Sequence, residues 1–295
     1  MNVHSPLGAF AGPAVAHRLA SGGMTDPSPD QLADLPDLRV ERRDGGIALV
    51  TLALPDRRNM MSAPMTASWG TAMRALRADP GVRVVVVTGA GSAFCAGGDV
   101  SWIGSEPDAT VDALRTRMLP FYRTWLSVRE LQVPTIAAVN GAAIGAGLAL
   151  ALACDLRYAA DDAKLAAPFT ALGMHAGMAT TYLLPEVAGL AVARELLLTG
   201  RVVTGAEAVG LGLVNQAFPK ADVLAEALAV AARVAAAAPV ATRLTKAALQ
   251  SGAPGSFDTA LQWEALAQPV TLATADLQEG LRAQRERRPP RFTGA

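Results

Sequence analysis

Apolar, β-prone runs that stop at glycine and restart as helix set the strongest limit on what this chain can fold into. RVVVVTG at 83–89 runs into GAGSAFCAGGDV at 89–100, and PTIAAVNG at 134–141 runs into GAAIGAGLALALAC at 141–154. Runs rich in β-branched residues and closed by glycine read as buried strands, and the small-residue run at 146–154 reads as a buried helix. IALVTLAL at 47–54, ended by Pro55, is an earlier strand of the same kind, and 62–78 has helical spacing behind Ser62 as its N-cap. Strand and helix alternate three times, which calls for stacked α/β units with parallel pairing rather than a sandwich.

From about residue 188 the pattern turns helical, through LAVARELLLTG, AEALAVAARVAAAA, ATRLTKAALQ and ATADLQEGLRAQRERR, with LVNQAF at 213–218 as the one strand. The first 37 residues, rich in Gly, Pro, Ala and Ser, have no sustained period and read as a loose tail without a secretory signal. Met24 is an alternative start. The expected organisation is therefore a tail at 1–37, an α/β core at 38–230 and a helical, oligomerising region at 231–295.

Twenty-six basic and twenty-six acidic residues cancel, and no basic face stands out, so nucleic acid is set aside as a partner. Residues 135–154 are apolar over the length of a membrane span, yet Asn140 interrupts them and Pro134, Asp155 and Arg157 flank them. A strand, a glycine turn and a buried helix fit better. Cys95 and Cys154, the two cysteines present, supply neither a disulfide framework nor a zinc site, and reduced thiols point to the cytoplasm.

Neither glycine turn has the spacing of a dinucleotide fingerprint or the lysine of a phosphate loop. Glycine also lets a main-chain N–H approach a ligand oxygen, and a helix N-terminus leaves such groups unpaired. One such turn alone is an ordinary strand-to-helix connection; two facing each other make an oxyanion hole.

The turn SAFCAGGDV, the block VPTIAAVNGAAIGAGLALALACDLRYA, ALG at 171–173, ELLLTGRVVTGAEAVGLGLVNQAFP and TADLQEGLRAQRERRPPRF together resemble the crotonase superfamily, the enoyl-CoA hydratase/isomerase family. The resemblance runs from about residue 38 to the C-terminus. It implies an α/β spiral of repeated ββα units with a helical C-terminal region, trimers or hexamers, and an acyl-CoA thioester as substrate, with coenzyme A carried in the substrate and no separate cofactor or metal. It places the oxyanion donors at the N–H groups of Gly98 and Ala146. It matches Arg57 to Asn59, with Arg58 between, and Ala96 to Ser101 to the segments that bind the nucleotide and pantetheine parts of coenzyme A, and Arg287 to a basic residue that reaches the phosphates. For the arginines, ordinary solvated charge is an equal reading.

The resemblance also marks positions where acids are expected. Hydratases of the family hold water between two glutamates, which here fall at Ala149 and Phe169; an isomerase acid and a dehalogenase aspartate fall at Gly177. Two-glutamate hydration is therefore not expected. His175 is the candidate acid/base on that wall, or else a turn histidine bonded to main chain, with Asp112, Tyr122 and Arg123 on a helix at 111–131 as candidate contributors. Phe169 is either a core residue or an apolar surface for the acyl group. The functional expectation is an enzyme that stabilises a thioester enolate, and the alternative is a non-catalytic acyl-CoA-binding protein.

Overall fold

The computed structural model describes residues 32, 34–99, 108–250 and 256–295; the bulk of the N-terminal tail, the start at Met24 and Ser101 lie outside them. Two sheets carry the architecture. The larger has the order β1 (Leu38–Arg43), β2 (Ile47–Leu52), β3 (Val84–Gly89), β5 (Thr135–Val139), β7 (Leu156–Ala160) and β10 (Gln216–Phe218). The hairpin β1–β2 is antiparallel and every other pairing in that sheet is parallel. The smaller sheet joins β4 (Ala93–Cys95), β6 (Ala142–Ile144) and β8 (Lys164–Ala166) in parallel, with β9 (Val203–Thr204) antiparallel at its edge.

The chain visits the sheets in turn. A long strand in the first is followed by a short strand in the second and then a helix: β3, β4 and α2 (Val111–Leu126); β5, β6 and α3 (Ala146–Ala153); β7, β8 and α4 (Thr180–Thr199). Three ββα turns stack as a spiral. The parallel strands are covered on both faces, which is why β3 and β5 are buried at every position and read as unbroken apolar runs. Helix α1 (Ala63–Ala78) precedes the first turn, and Ser62 Oγ accepts from Met65 N at 3.1 Å as its N-cap.

The apolar stretch 135–154 is β5, a turn, β6 and α3, all inside the core. Asn140 sits in it because the turns need a side chain with both a donor and an acceptor: Oδ1 accepts from Gly89 N at 3.1 Å and Nδ2 donates to Gly91 O at 3.2 Å. Among the described residues no single helix is long and apolar enough to cross a membrane.

After α5 (Gly205–Gly210) and β10, helix α6 (Val223–Ala235) lies on the larger sheet, burying Val223, Ala227, Ala231 and Ala235 at a spacing of four. A division at residue 230 therefore cuts through α6. Helices α7 (Pro239–Gln250), α8 (Phe257–Leu272) and α9 (Ala275–Glu286) follow. The helix expected over 111–131 ends at Leu126 and continues as a single 3₁₀ turn, Ser127–Glu130. The strand expected over 213–218 is confined to its last three residues, because Gly212 turns the chain with φ +72° just before.

Candidate active site

The two glycine turns meet. A Cβ placed on Gly97, whose φ is +95°, would stand 2.6 Å from Ile144 O and 3.4 Å from Ala146 N. A Cβ on Gly147 would stand 2.1 Å from Cys95 O. Main chain thus lies directly against main chain, a distance that only glycine permits at both places.

Residues 96–99 are held in line by the segment 58–61. Ala96 N donates to Arg58 O at 3.0 Å, Met61 N donates to Gly97 O at 2.8 Å, and Met61 and Gly98 form a parallel bridge. In a parallel bridge the flanking peptide units carry the hydrogen bonds, so Gly98's own N–H is left without an acceptor among the described residues. Ala146 opens α3 after Gly145, and its N–H is one of the four that a helix start leaves unpaired. Both residues line one cavity of about 140 Å³. That is below the roughly 300–1,000 Å³ of a pocket that encloses a whole drug-sized ligand, so it admits a reacting end rather than a complete coenzyme.

Ala96, Phe169 and His175 line the same cavity. Phe169 is half-buried, packs on the core, and its ring edge would lie 3.7 Å from a Cβ on Gly145. It therefore serves both as a flank of the core and as a wall facing the two amides. His175 is exposed on the rim, and its Nδ1 lies 2.7 Å from Ala176 O. With the proton assigned to Nδ1 for that bond, Nε2 is left as an acceptor. His175 is thus a histidine in contact with main chain, as one of its two readings expected, and it also borders the cavity.

Helix α2 supplies the opposite wall through Met118, Phe121 and Tyr122, while Asp112 and Arg123 on the same helix do not reach it. The three- and four-residue spacing of 118, 121 and 122 is the signal that separates them. Ile144 and Leu172, inside the quoted motifs, and Pro168, Met174 and Met178, outside them, complete the apolar lining. Among the described residues lining the cavity there is no carboxylate; Tyr122 and His175 are its ionisable side chains. Burial pushes the Tyr122 phenol above its usual range. Ala149 is fully buried on α3 and does not line the cavity.

Arg57, Arg58 and Arg287 are exposed and none lines the cavity. Arg57 Nη2 pairs with Asp99 Oδ2 at 3.4 Å, and Arg58 and Arg287 both have left-handed backbones at helix ends. Asn59, buried beside them, anchors the segment: Oδ1 accepts from Leu54 N at 2.9 Å and Nδ2 donates to Ala90 O and Ala93 O, each at 2.8 Å. Cys95 lies behind the first turn, and burial drives its thiol up to about 12, with the Gly97 amide opposing in part. It is no nucleophile at neutral pH. No cluster of three metal-ligating side chains occurs among the described residues.

Residues 42–295 match the model of the enoyl-CoA hydratase/isomerase family. The chain belongs to that family. A relative from Thermus thermophilus is 40% identical over 253 residues, covering 86% of this chain and all of its own. The mouse mitochondrial enoyl-CoA hydratase domain-containing protein 2 is 34% identical over 281 residues, 92% of this chain and 94% of its own. Among solved structures, the enoyl-CoA hydratase of Bacillus anthracis superposes with a TM-score of 0.82 at 32% identity, over 88% of this chain and 100% of its own. The spiral of ββα units is thus the crotonase fold.

Proposed function

We propose that the protein is an acyl-CoA-processing enzyme that stabilises a thioester enolate between the main-chain N–H groups of Gly98 and Ala146. The observation that carries this reading is the pair of N–H groups, one from each glycine turn and each without an acceptor among the described residues, on one cavity. A thioester carbonyl that becomes an enolate gains negative charge on oxygen, and fixed donors favour that state over the ground state. Phe169 offers an apolar surface to the acyl group, and His175 exchanges protons through Nε2 at the rim. Arg57, Arg58, Ala96, Ser101 and Arg287 belong to the binding of coenzyme A on this reading. Coenzyme A arrives with the substrate, no separate cofactor is required, and the setting is the cytoplasm.

With Ala149 and Phe169 at the two glutamate positions implied by the family pattern, water addition by a carboxylate pair is not part of the proposal. The lack of a carboxylate on the described lining also favours a second reading, an acyl-CoA-binding protein that does not turn its ligand over.

One experiment separates them. A panel of acyl-CoAs is titrated by calorimetry, and the tightest binders are then incubated and analysed for product by mass. Ala146→Pro tests the carrying observation, since proline is tolerated at the first position of a helix but has no N–H. Turnover by wild type with a loss of about 100-fold or more in the variant supports the enzyme. Tight binding without product, unchanged by His175→Ala, establishes the binding protein, and wild-type turnover by Ala146→Pro overturns the oxyanion assignment.

A further inference from the structure

Gly177 lines the cavity, and its φ lies outside the left-handed region, so conformation alone does not demand glycine there. Space does. A Cβ at this position would stand 2.6 Å from Tyr122 Oη and 3.1 Å from its Cζ. The phenol of α2 thus reaches across the cavity and occupies the volume that any larger residue at 177 would take. Among the described residues no group donates a hydrogen bond to Tyr122 Oη or accepts one from it. A phenol that solvent reaches, on a cavity lined by apolar side chains and without a partner among the described residues, is open to bond a ligand atom.

We propose that Tyr122 Oη carries the proton to and from the α-carbon of the bound thioester's enolate, and that the bare Cα of Gly177 is what admits it. The inference rests on the reading of the cavity as an enolate site. In the forward step the O–H bond of Tyr122 breaks as a C–H bond forms at the α-carbon. The enolate's electron pair enters that bond, the thioester carbonyl is restored, and a phenolate remains. In reverse the phenolate takes the α-proton and becomes phenol again. No other reactant is needed, because solvent exchanges the phenolic proton. Of the two ionisable side chains on the lining, Tyr122 is half-buried and aimed at Gly177 on the far wall while His175 is exposed, so the more sheltered one meets carbon and the exposed one meets water.

Butyryl-CoA, which has an acidic α-carbon and no double bond to hydrate or shift, is the probe. The full-length protein is incubated with it in D₂O between pH 6 and 9, and deuterium entering the α-carbon is followed by mass spectrometry, with affinity measured in parallel. Wild type is expected to exchange above the buffer rate, with a rate that climbs about tenfold per pH unit, as a base of high pKa requires. Tyr122→Phe keeps the ring and is expected to lose at least tenfold in exchange while its Kd for butyryl-CoA stays within about threefold. Gly177→Ala, which brings no ionisable group but displaces the hydroxyl, is expected to lose exchange as well.

Exchange by Tyr122→Phe at the wild-type rate, or a wild-type profile that levels off between pH 6 and 7, overturns the role of Tyr122 and leaves the enolate site standing. Binding without any exchange by wild type overturns both. Failure to bind butyryl-CoA or any other acyl-CoA overturns the reading of the cavity itself.

Discussion

Gly97 shows how much of the site depends on single atoms that are missing. Its φ of +95° and the Ile144 carbonyl 2.6 Å from a notional Cβ leave no room for alanine. Gly97→Ala is expected to cost about 1–3 kcal/mol from the backbone conformation alone, with the clash in addition, and to pull Gly98 N–H out of line. A lowered urea midpoint together with weaker acyl-CoA binding is the expected result. The two cysteines act in a different way, through burial. Cys95 and Cys154 are both pushed up to about 12, chiefly by desolvation. An unfolded thiol ionises near 8.5, so the unfolded chain loses its protons first as pH rises. The stabilising contribution of each neutral thiol is complete below about pH 8.5 and declines toward pH 12, by at most about 1.4 kcal/mol per pH unit. Urea midpoints measured at pH 7.5 and 9.5 should fall for the wild type and fall less for the Cys95→Ala, Cys154→Ala double variant. The sequence made Gly98, Ala146, Phe169 and His175 legible as neighbours because each sits in a motif of fixed spacing. Arg57, Arg58 and Arg287 lie on the surface outside the cavity, a setting that fits both solvated charge and contact with the part of a coenzyme that the cavity does not hold.

Helix α2 brings Tyr122 to the cavity, and what fixes α2 is aromatic. Trp125 stacks on Trp69 of α1 with ring centroids 4.9 Å apart, and its Nε1 donates to Thr66 Oγ1 at 3.0 Å. Trp125→Ala removes a fully buried indole and is expected to cost about 3–5 kcal/mol by denaturant titration. Trp125→Phe keeps most of the ring stack and loses the hydrogen bond, so it should destabilise less while preserving ligand affinity. Helix α7 is held by charge instead. Lys246, 6% exposed, pairs with Asp155 Oδ2 at 2.8 Å and donates to Val133 O at 2.8 Å, while Asp155 also accepts from Thr135 N and Oγ1. Lys246→Met leaves that carboxylate without its cation. A loss of about 3 kcal/mol is expected, at the low end for a broken buried pair because the Asp155 side chain keeps some solvent. Elements of this kind differ in how readily a sequence betrays them. β3 and β5 are continuous apolar runs and were legible. β4 and β6 have three residues each, too few to show a period of two. β7 hides a buried Arg157, whose charge breaks the apolar run; only the fold provides its partners, Leu213 O at 2.8 Å and Cys154 O at 2.6 Å.

At the scale of the whole molecule, α8 is the element that a lone chain leaves unexplained. It buries no residue, yet it exposes Phe257, Leu261, Leu266, Val270 and Leu272, with Phe257 at 80% and Leu266 at 72%. A helix apolar on several sides is stable in water only when other surfaces cover it, and a run of large exposed side chains on one element marks an interaction surface. Within the chain α8 meets chiefly α7 and α9. A second copy of the chain is a sufficient cover, in keeping with the trimers or hexamers that the family resemblance implies. Light scattering on the purified protein should then give three or six times the chain mass. Phe257→Glu with Leu266→Glu should shift that mass toward one chain, because two carboxylates would have to be buried unpaired. The substituted sites are solvent-facing in the single chain, so the core of the monomer should keep its circular dichroism, with any loss of helical signal confined to the contribution of α8. A wild-type protein that scatters as one chain at micromolar concentration would mean that α8 is covered by something other than its own kind.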